Sequence, residues 1–117
     1  GLVVPMRRNG TAPQESVMLA YRDHLSDVAH RAQDVLDTEF GAQLGLADLA
    51  RRLAVSERTL TRAFVAATGV TPHRYQTALR VERARLLLAS GWSQAAVATE
   101  VGLGDARSLR RLLADQA

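Results

Sequence analysis

"LARRLAVSERTLTRAF", residues 49–64, is the stretch whose reading decides the fold. Leu46, Leu49, Ala50 and Leu53 fall on one face of a short helix over about 46–53. Ser56 stands where an N-cap is wanted, because its hydroxyl can accept from an orphan backbone N–H. Glu57 suits the positive end of the next helix dipole. That helix runs to about Ala67, and Gly69 is placed to end it. Small residues, Ala50 and Ala54, sit where the two helices would cross, and Val55 plugs the turn between them. These are the demands of a helix-turn-helix, whose second helix stands nearly across the first and projects its outer face. On a helical wheel Leu60 and Phe64 anchor that second helix inward, while Arg58, Thr61 and Arg62 lie on the opposite side.

The pattern recurs further along the chain. Ser93 caps a short helix reaching about Val101, in which Val97, Ala98, Val101, Gly102 and Leu103 answer Leu49, Ala50, Leu53, Ala54 and Val55 at an offset of 48 residues. One residue is then inserted, Asp105 takes the capping place, and the offset becomes 49. Arg107, Ser108, Leu109, Arg110, Arg111 and Leu113 answer Arg58, Thr59, Leu60, Thr61, Arg62 and Phe64. A single such pattern is weak evidence, whereas two at a fixed offset with arginine on both outer faces are much stronger. Between them, Thr71-Pro72 is an N-cap followed by a proline at the first helical position. The helix that follows runs to about Ala89, with Tyr75, Ala78, Leu79, Ala84, Leu87 and Leu88 in register, and Gly91 ends it. Its eighteen residues make a strut of roughly 27 Å, against the ~34 Å between successive major-groove faces of B-DNA.

Upstream, Leu25, Val28, Ala29, Ala32, Val35 and Leu36 make the stripe of an amphipathic helix over 23–39, stopped by Gly41. Residues 1–16 lack helical periodicity, and Pro5, Asn9-Gly10 and Pro13 punctuate them as loop. The organisation predicted is all-α with about six to seven helices, in a homeodomain-like arrangement. Residues 1–22 are a linker or the remnant of something upstream. Residues 23–70 and 91–117 are two helix-turn-helix subdomains, joined by a connecting helix over 71–90.

Composition narrows the function. The 117 residues are 47% apolar, enough for a core, and contain no cysteine, which removes disulfides, thiolate metal sites and cysteine nucleophiles. No apolar run reaches the length of a membrane span, and residues 1–18 do not form a signal peptide. A chain beginning at Gly1 reads as a fragment or a processed product. Residues 1–50 carry four arginines against seven acidic residues, net −3, and residues 51–117 carry eleven against five, net +6. The basic half is therefore the one that would meet a polyanion. Every basic residue apart from the histidines is arginine, as expected of codon bias in a GC-rich genome. His24, His30 and His73 share no metal-ligand spacing, and Ser16, Ser26 and Ser90 have no histidine and aspartate arranged for nucleophilic work. With no glycine-rich phosphate loop either, neither an enzyme nor a cofactor is expected. Asp34, Asp37 and Glu39 read as an exposed helix face, and Trp92 as an apolar plug at a helix junction. Arg51 and Arg52 read as solvated or paired within the chain, with phosphate clamps as the alternative, and the arginines of the connecting helix, Arg80, Arg83 and Arg85, as mixed in role.

"LADLARRLAVSERTLTRAFVAATGVTPHRY", "RVERARLLL" and "VATEVGLGDARSLRRLL" resemble the C-terminal DNA-binding domain of AraC/XylS-type transcription regulators, over about residues 44–113. "ATGVTPHRY" and "GLGDARSLRR" are most similar to the subgroup whose sensor domain resembles class I glutamine amidotransferases, and "LVVPMRRNGTAPQ" resembles the end of that domain. The resemblance implies double-stranded promoter DNA as partner, RNA polymerase as a further one, and a cytoplasmic, nucleoid-associated bacterial protein. Any effector would bind a sensor domain not found in these residues. It implies base-edge contacts from Arg58, Thr61 and Arg62 and from Arg107, Arg110 and Arg111. The chemistry agrees, since arginine offers a fork to guanine O6 and N7. Thr59 and Ser108, near helix N-termini, become candidates for phosphate contact, and Arg80 takes a mainly structural role. The family usually has phenylalanine where this chain has Leu103 and Leu113, and continues past the second reading helix with Gly, Ser-Pro and a final helix. A second motif that packs less tightly and is incompletely supported is expected on both counts. The alternative to DNA binding is a non-catalytic helical protein-interaction module with a basic surface. Operator, effector, and activation versus repression are not legible.

Overall fold

The computed structural model describes residues 12–116. Within them the chain forms six helices and no strand: α1 (Ala12–Glu39), α2 (Leu46–Arg52), α3 (Glu57–Thr68), α4 (Pro72–Ala89), α5 (Gln94–Glu100) and α6 (Ala106–Asp115). The reading of the first residues as linker or sensor-domain remnant lies, for 1–11, outside the described residues.

Caps punctuate these helices where the side chains predict. Ser56, Thr71, Ser93 and Asp105 accept from the backbone N–H of Thr59, Arg74, Ala96 and Ser108 respectively. Gly69 closes α3 in the left-handed region at φ 82°. α1 differs from expectation, beginning at Ala12 and not at residue 23. Pro13 falls in its first turn, where a missing N–H costs little, and the following Gln, Glu, Met, Leu, Ala and Arg residues are strong helix formers. Residues 16–24 are exposed all round, so no apolar stripe marks this part of the helix.

The two cores are separate. Val28, Ala29, Ala32 and Leu36 of α1 pack with Leu49, Ala50 and Leu53 and with Leu60, Ala63 and Phe64 of α3. Phe64, fully buried, meets Tyr75 edge to face at 5.3 Å and 79°, a favoured aromatic geometry. The Tyr75 hydroxyl donates to Asp37 at 2.6 Å, and that hydrogen bond raises the phenol pKa. The second core is smaller: Ala84 and Leu87 of α4, Val97 and Ala98 of α5, Val101, and Leu109 of α6. Leu103 and Leu113 lie half-buried at its edge.

Several side chains fall elsewhere than their patterns suggest. Leu46 is exposed, being the first residue of its helix. On α4 the buried face is Gln76, Val81, Ala84 and Leu87, and Ala78 is exposed. This helix serves two cores, and Gln76 is tolerated inside because its amide donates to the Phe40 carbonyl at 3.2 Å. Trp92 is 43% exposed and no plug. It follows Gly91 (φ 95°) in the turn that closes α4, where its N–H bonds the Leu87 carbonyl and its indole stays outside. Finally, Asp34 and Asp37 are exposed as read, Asp37 accepting from Tyr75, whereas Glu39 is half-buried and held by Arg52.

Candidate nucleic-acid interface

The turns of the two helix pairs are built on one hydrogen-bond scheme. After α2, Val55 N–H bonds Ala50 O and Ala54 N–H bonds Arg51 O. After α5, Leu103 N–H bonds Ala98 O and Gly102 N–H bonds Thr99 O. This is the Schellman closure, which needs a left-handed residue in its middle. Gly102 supplies it at φ 83°, Ala54 at φ 56°. The equivalence read from spacing alone therefore extends to individual backbone bonds. In both pairs the turn hands over to an N-cap, so the second helix starts at a fixed place relative to the first.

α3 then buries Leu60, Ala63 and Phe64 and leaves Arg58 and Arg62 exposed, with Thr61 half-exposed beside them. α6 buries Leu109 and leaves Arg107, Arg110 and Arg111 exposed. Each face brings together the residues named from the sequence. Thr59 and Ser108 are drawn into the caps. Thr59 N–H donates to Ser56 Oγ at 3.0 Å, and the Ser56 hydroxyl donates to Thr59 Oγ1 at 3.0 Å. Ser108 N–H donates to Asp105 Oδ1 at 2.7 Å. That bond, reinforced by the Ser108 hydroxyl, holds the Asp105 carboxyl below its usual pKa. Neither backbone N–H is free for a phosphate, so any contact there is left to the side-chain hydroxyls, of which that of Thr59 keeps its proton to donate.

The arginines divide by partner. On α2, Arg51 pairs with Asp48 at 3.1 Å, and Arg52 forms a fork on Glu39 at 2.6 and 2.8 Å. Arg52 lowers the Glu39 pKa and is itself raised, and the Asp48 pKa is lowered by the Gly45 N–H and then by Arg51. On α4, Arg80 donates to the Phe40 and Ala42 carbonyls at 2.7 and 3.0 Å. By contrast, among the described residues no ion pair or hydrogen bond engages the guanidinium of Arg58, Arg62, Arg107 or Arg111. The outer faces of α3 and α6 thus carry guanidinium groups with no ion-pair partner among the described residues, each fork able to grip two acceptors.

Arg110 is the exception. Its Nη1 donates to Gln94 Oε1, 2.9 Å away at the start of α5. Gln94 was not singled out by its sequence context. Its counterpart 48 residues earlier is Leu46, so the repeat gives no polar residue to look for, and the counterpart of Arg110 is Thr61. The available signal is positional: Gln94 directly follows the cap, and the crossing of α5 over α6 puts that first turn beside the middle of the reading helix.

Comparisons with known proteins agree with this construction. A family of helix-turn-helix domains matches residues 49–116, more than half of the chain. The C-terminal domain of the two-component response regulator yesN from Fusobacterium nucleatum is similar at a TM-score of 0.70 and 22% identity, over 74% of this chain and 92% of that one. The C-terminal domain of AraT, a response regulator from Geobacillus stearothermophilus, is similar at 0.70 and 24%, over 75% and 74%. At those identities both speak for the fold. The DNA-binding domain of AdpA, a global transcriptional factor solved in complex with a target DNA, is similar at 0.63 and 31% identity, over 79% of this chain and 80% of that one. With two helix pairs closed by the same turn, a connecting helix between them and a family match across both, the chain belongs to the AraC/XylS type of helix-turn-helix DNA-binding domain.

Proposed function

We propose that the chain is the DNA-reading part of a transcription regulator and binds one promoter sequence by placing α3 and α6 in successive major-groove faces of the duplex. The observation that carries this reading is where exposed arginines gather: those of the supporting helix α2 are paired with carboxylates, whereas Arg58, Arg62, Arg107 and Arg111, two on the outer face of each second helix, have no partner among the described residues. The likeness to a domain solved on its target DNA adds weight.

Arg58 and Arg62, with Thr61 between them, read base edges in one groove, and Arg107 and Arg111 read them in the next. Arg110, held by Gln94, enters its groove with its guanidinium already oriented. The hydroxyls of Thr59 and Ser108 lie near the backbone of the duplex, as helix N-termini do in this mode of docking.

The test uses duplexes recovered by the wild-type chain from a randomised library. Arg62→Ala and Arg111→Ala are each expected to cost about 1–3 kcal/mol of binding and to relax discrimination at one base pair. Arg51→Ala, which loses only an intrachain partner, is expected to bind as wild type. If both reading-helix variants bind like wild type, or if the wild-type chain recovers no preferred sequence, the reading fails in favour of a basic surface for a protein partner.

A further inference from the structure

We infer that a seam of two glycines, Gly41 and Gly102, locks the second helix pair to the first and thereby fixes the spacing of DNA elements that the chain accepts. The inference rests on the two-groove reading above. The loop after α1, residues 40–43, belongs by sequence to the first helix pair, yet it is built into the second. A Cβ on Gly102 would lie 2.1 Å from the Gly41 carbonyl oxygen, and one on Gly41 would lie 2.8 Å from the Glu100 carbonyl oxygen. Both obstacles are backbone, so neither can swing aside. Gln43 Nε2 crosses the seam to the Gly102 carbonyl at 2.9 Å. From the other side Arg80 and Gln76 of α4 hold the carbonyls of Phe40 and Ala42, and the half-buried Phe40 ring packs against the second core.

The connecting helix packs into both cores and already joins the two pairs. The seam adds a second attachment, from the end of α1 to the turn between α5 and α6, and opposes the bending and twisting that one helix alone would still allow. The consequence is for DNA. One inserted base pair moves the second element by about 34° around the duplex axis, and a locked protein cannot follow. A locked protein also gains more from its second contact at the right spacing, because that contact is intramolecular and already oriented.

Gly41→Ala is the wedge. Gly41 is not among the glycines with positive φ, so alanine is acceptable to its own backbone and only the seam must open. Gln43→Ala removes the tie across the seam without adding bulk. The 117-residue chain and both variants are titrated on duplexes from the selection above, carrying both elements at the selected spacing, both with one base pair inserted or deleted, or one element alone. The wild type is expected to lose most of its second-element gain on either spacing change. Gly41→Ala is expected to bind the single element unchanged, to lose about tenfold at the selected spacing, and to discriminate little between spacings. Gln43→Ala shifts the same way by less, and carries the test if Gly41→Ala does not fold. Wild-type spacing preference in the folded variants overturns the inference, as does a uniform loss that includes the single element, which marks a merely structural role. A wild type that gains nothing from the second element overturns the two-groove reading, and the seam's role with it.

Discussion

Ala54 and Gly102 occupy the same step of the same turn, at φ 56° and 83°. For alanine the left-handed region costs about 1–2 kcal/mol. Glycine removes that cost but gives back some 0.4–1 kcal/mol through a more flexible unfolded chain. Ala54→Gly is therefore expected to stabilise the protein by about 0.5–1 kcal/mol in denaturant unfolding. The mirror change has the opposite sign for two reasons. Gly102→Ala meets the same left-handed penalty and also drives a Cβ into the Gly41 carbonyl, so a loss of at least about 2 kcal/mol is expected. Equal small effects at the two positions would show that the contact with Gly41 is not there. The sequence alone shows that both positions are small, not that one is free to change and the other pinned, because Gly41 lies 61 positions before Gly102.

At the scale of elements, the reading helices depend on their caps, and those of α3 and α6 differ in kind. Ser56 is neutral, whereas Asp105 is ionic and also faces the positive end of the α6 dipole. The Asp105 pKa is depressed below its ordinary 3.8 by the Ser108 N–H first and the Ser108 hydroxyl second. A carboxyl depressed in the folded state contributes stability that is fully present above 3.8 and lost as pH falls through the folded value. The Glu39 and Asp48 carboxyls are shifted in the same direction. The melting temperature is thus expected to be level around neutral pH and to decline on acidification below the ordinary carboxylate range. Asp105→Asn, which caps without titrating, should make that decline shallower, and Asp105→Ala should lower the melting temperature by a few degrees even at neutral pH. An acid limb identical in Asp105→Asn and wild type would rule out the cap's share. Caps were legible because each is a bond between a side chain and a backbone N–H three residues on. The start of α1 was not, since residues 16–24 form helix by propensity and are exposed, with no buried stripe to mark them. Gln94 was hidden for another reason: its partner Arg110 is sixteen residues away and has no counterpart in the first motif.

Across the whole molecule, charge is sorted rather than merely present. Residues 51–117 carry a net +6 in the sequence, but folding spends part of it, since Arg51 and Arg52 meet carboxylates and Arg80 meets carbonyls. What is left lies on the outer faces of α3 and α6 and, on α4, at the exposed Arg74, Arg83 and Arg85. Neutralising phosphates releases condensed counterions, so log Kobs should fall linearly with log salt, by about 0.9 for each phosphate contacted. At least three such contacts make the slope steeper than about −2.7. The slope also sorts the arginines by role, which affinity alone cannot do. A guanidinium that reads a base edge leaves the slope nearly unchanged when replaced but loses selectivity at one base pair, whereas one that holds a phosphate flattens the slope by about 0.9 and weakens all sequences alike. Arg58 and Arg107 stand in the first turns of α3 and α6, and Arg62 and Arg111 one turn further in. Helices docked by their N-terminal ends bring those first turns to bases and backbone together. Replacing each of the four by glutamine and measuring both slope and selectivity should therefore give selectivity loss at Arg62 and Arg111, with any flattening confined to Arg58 and Arg107. Flattening at Arg62 and Arg111 without loss of selectivity would mean that the chain grips the backbone there, and that the sequence is read elsewhere.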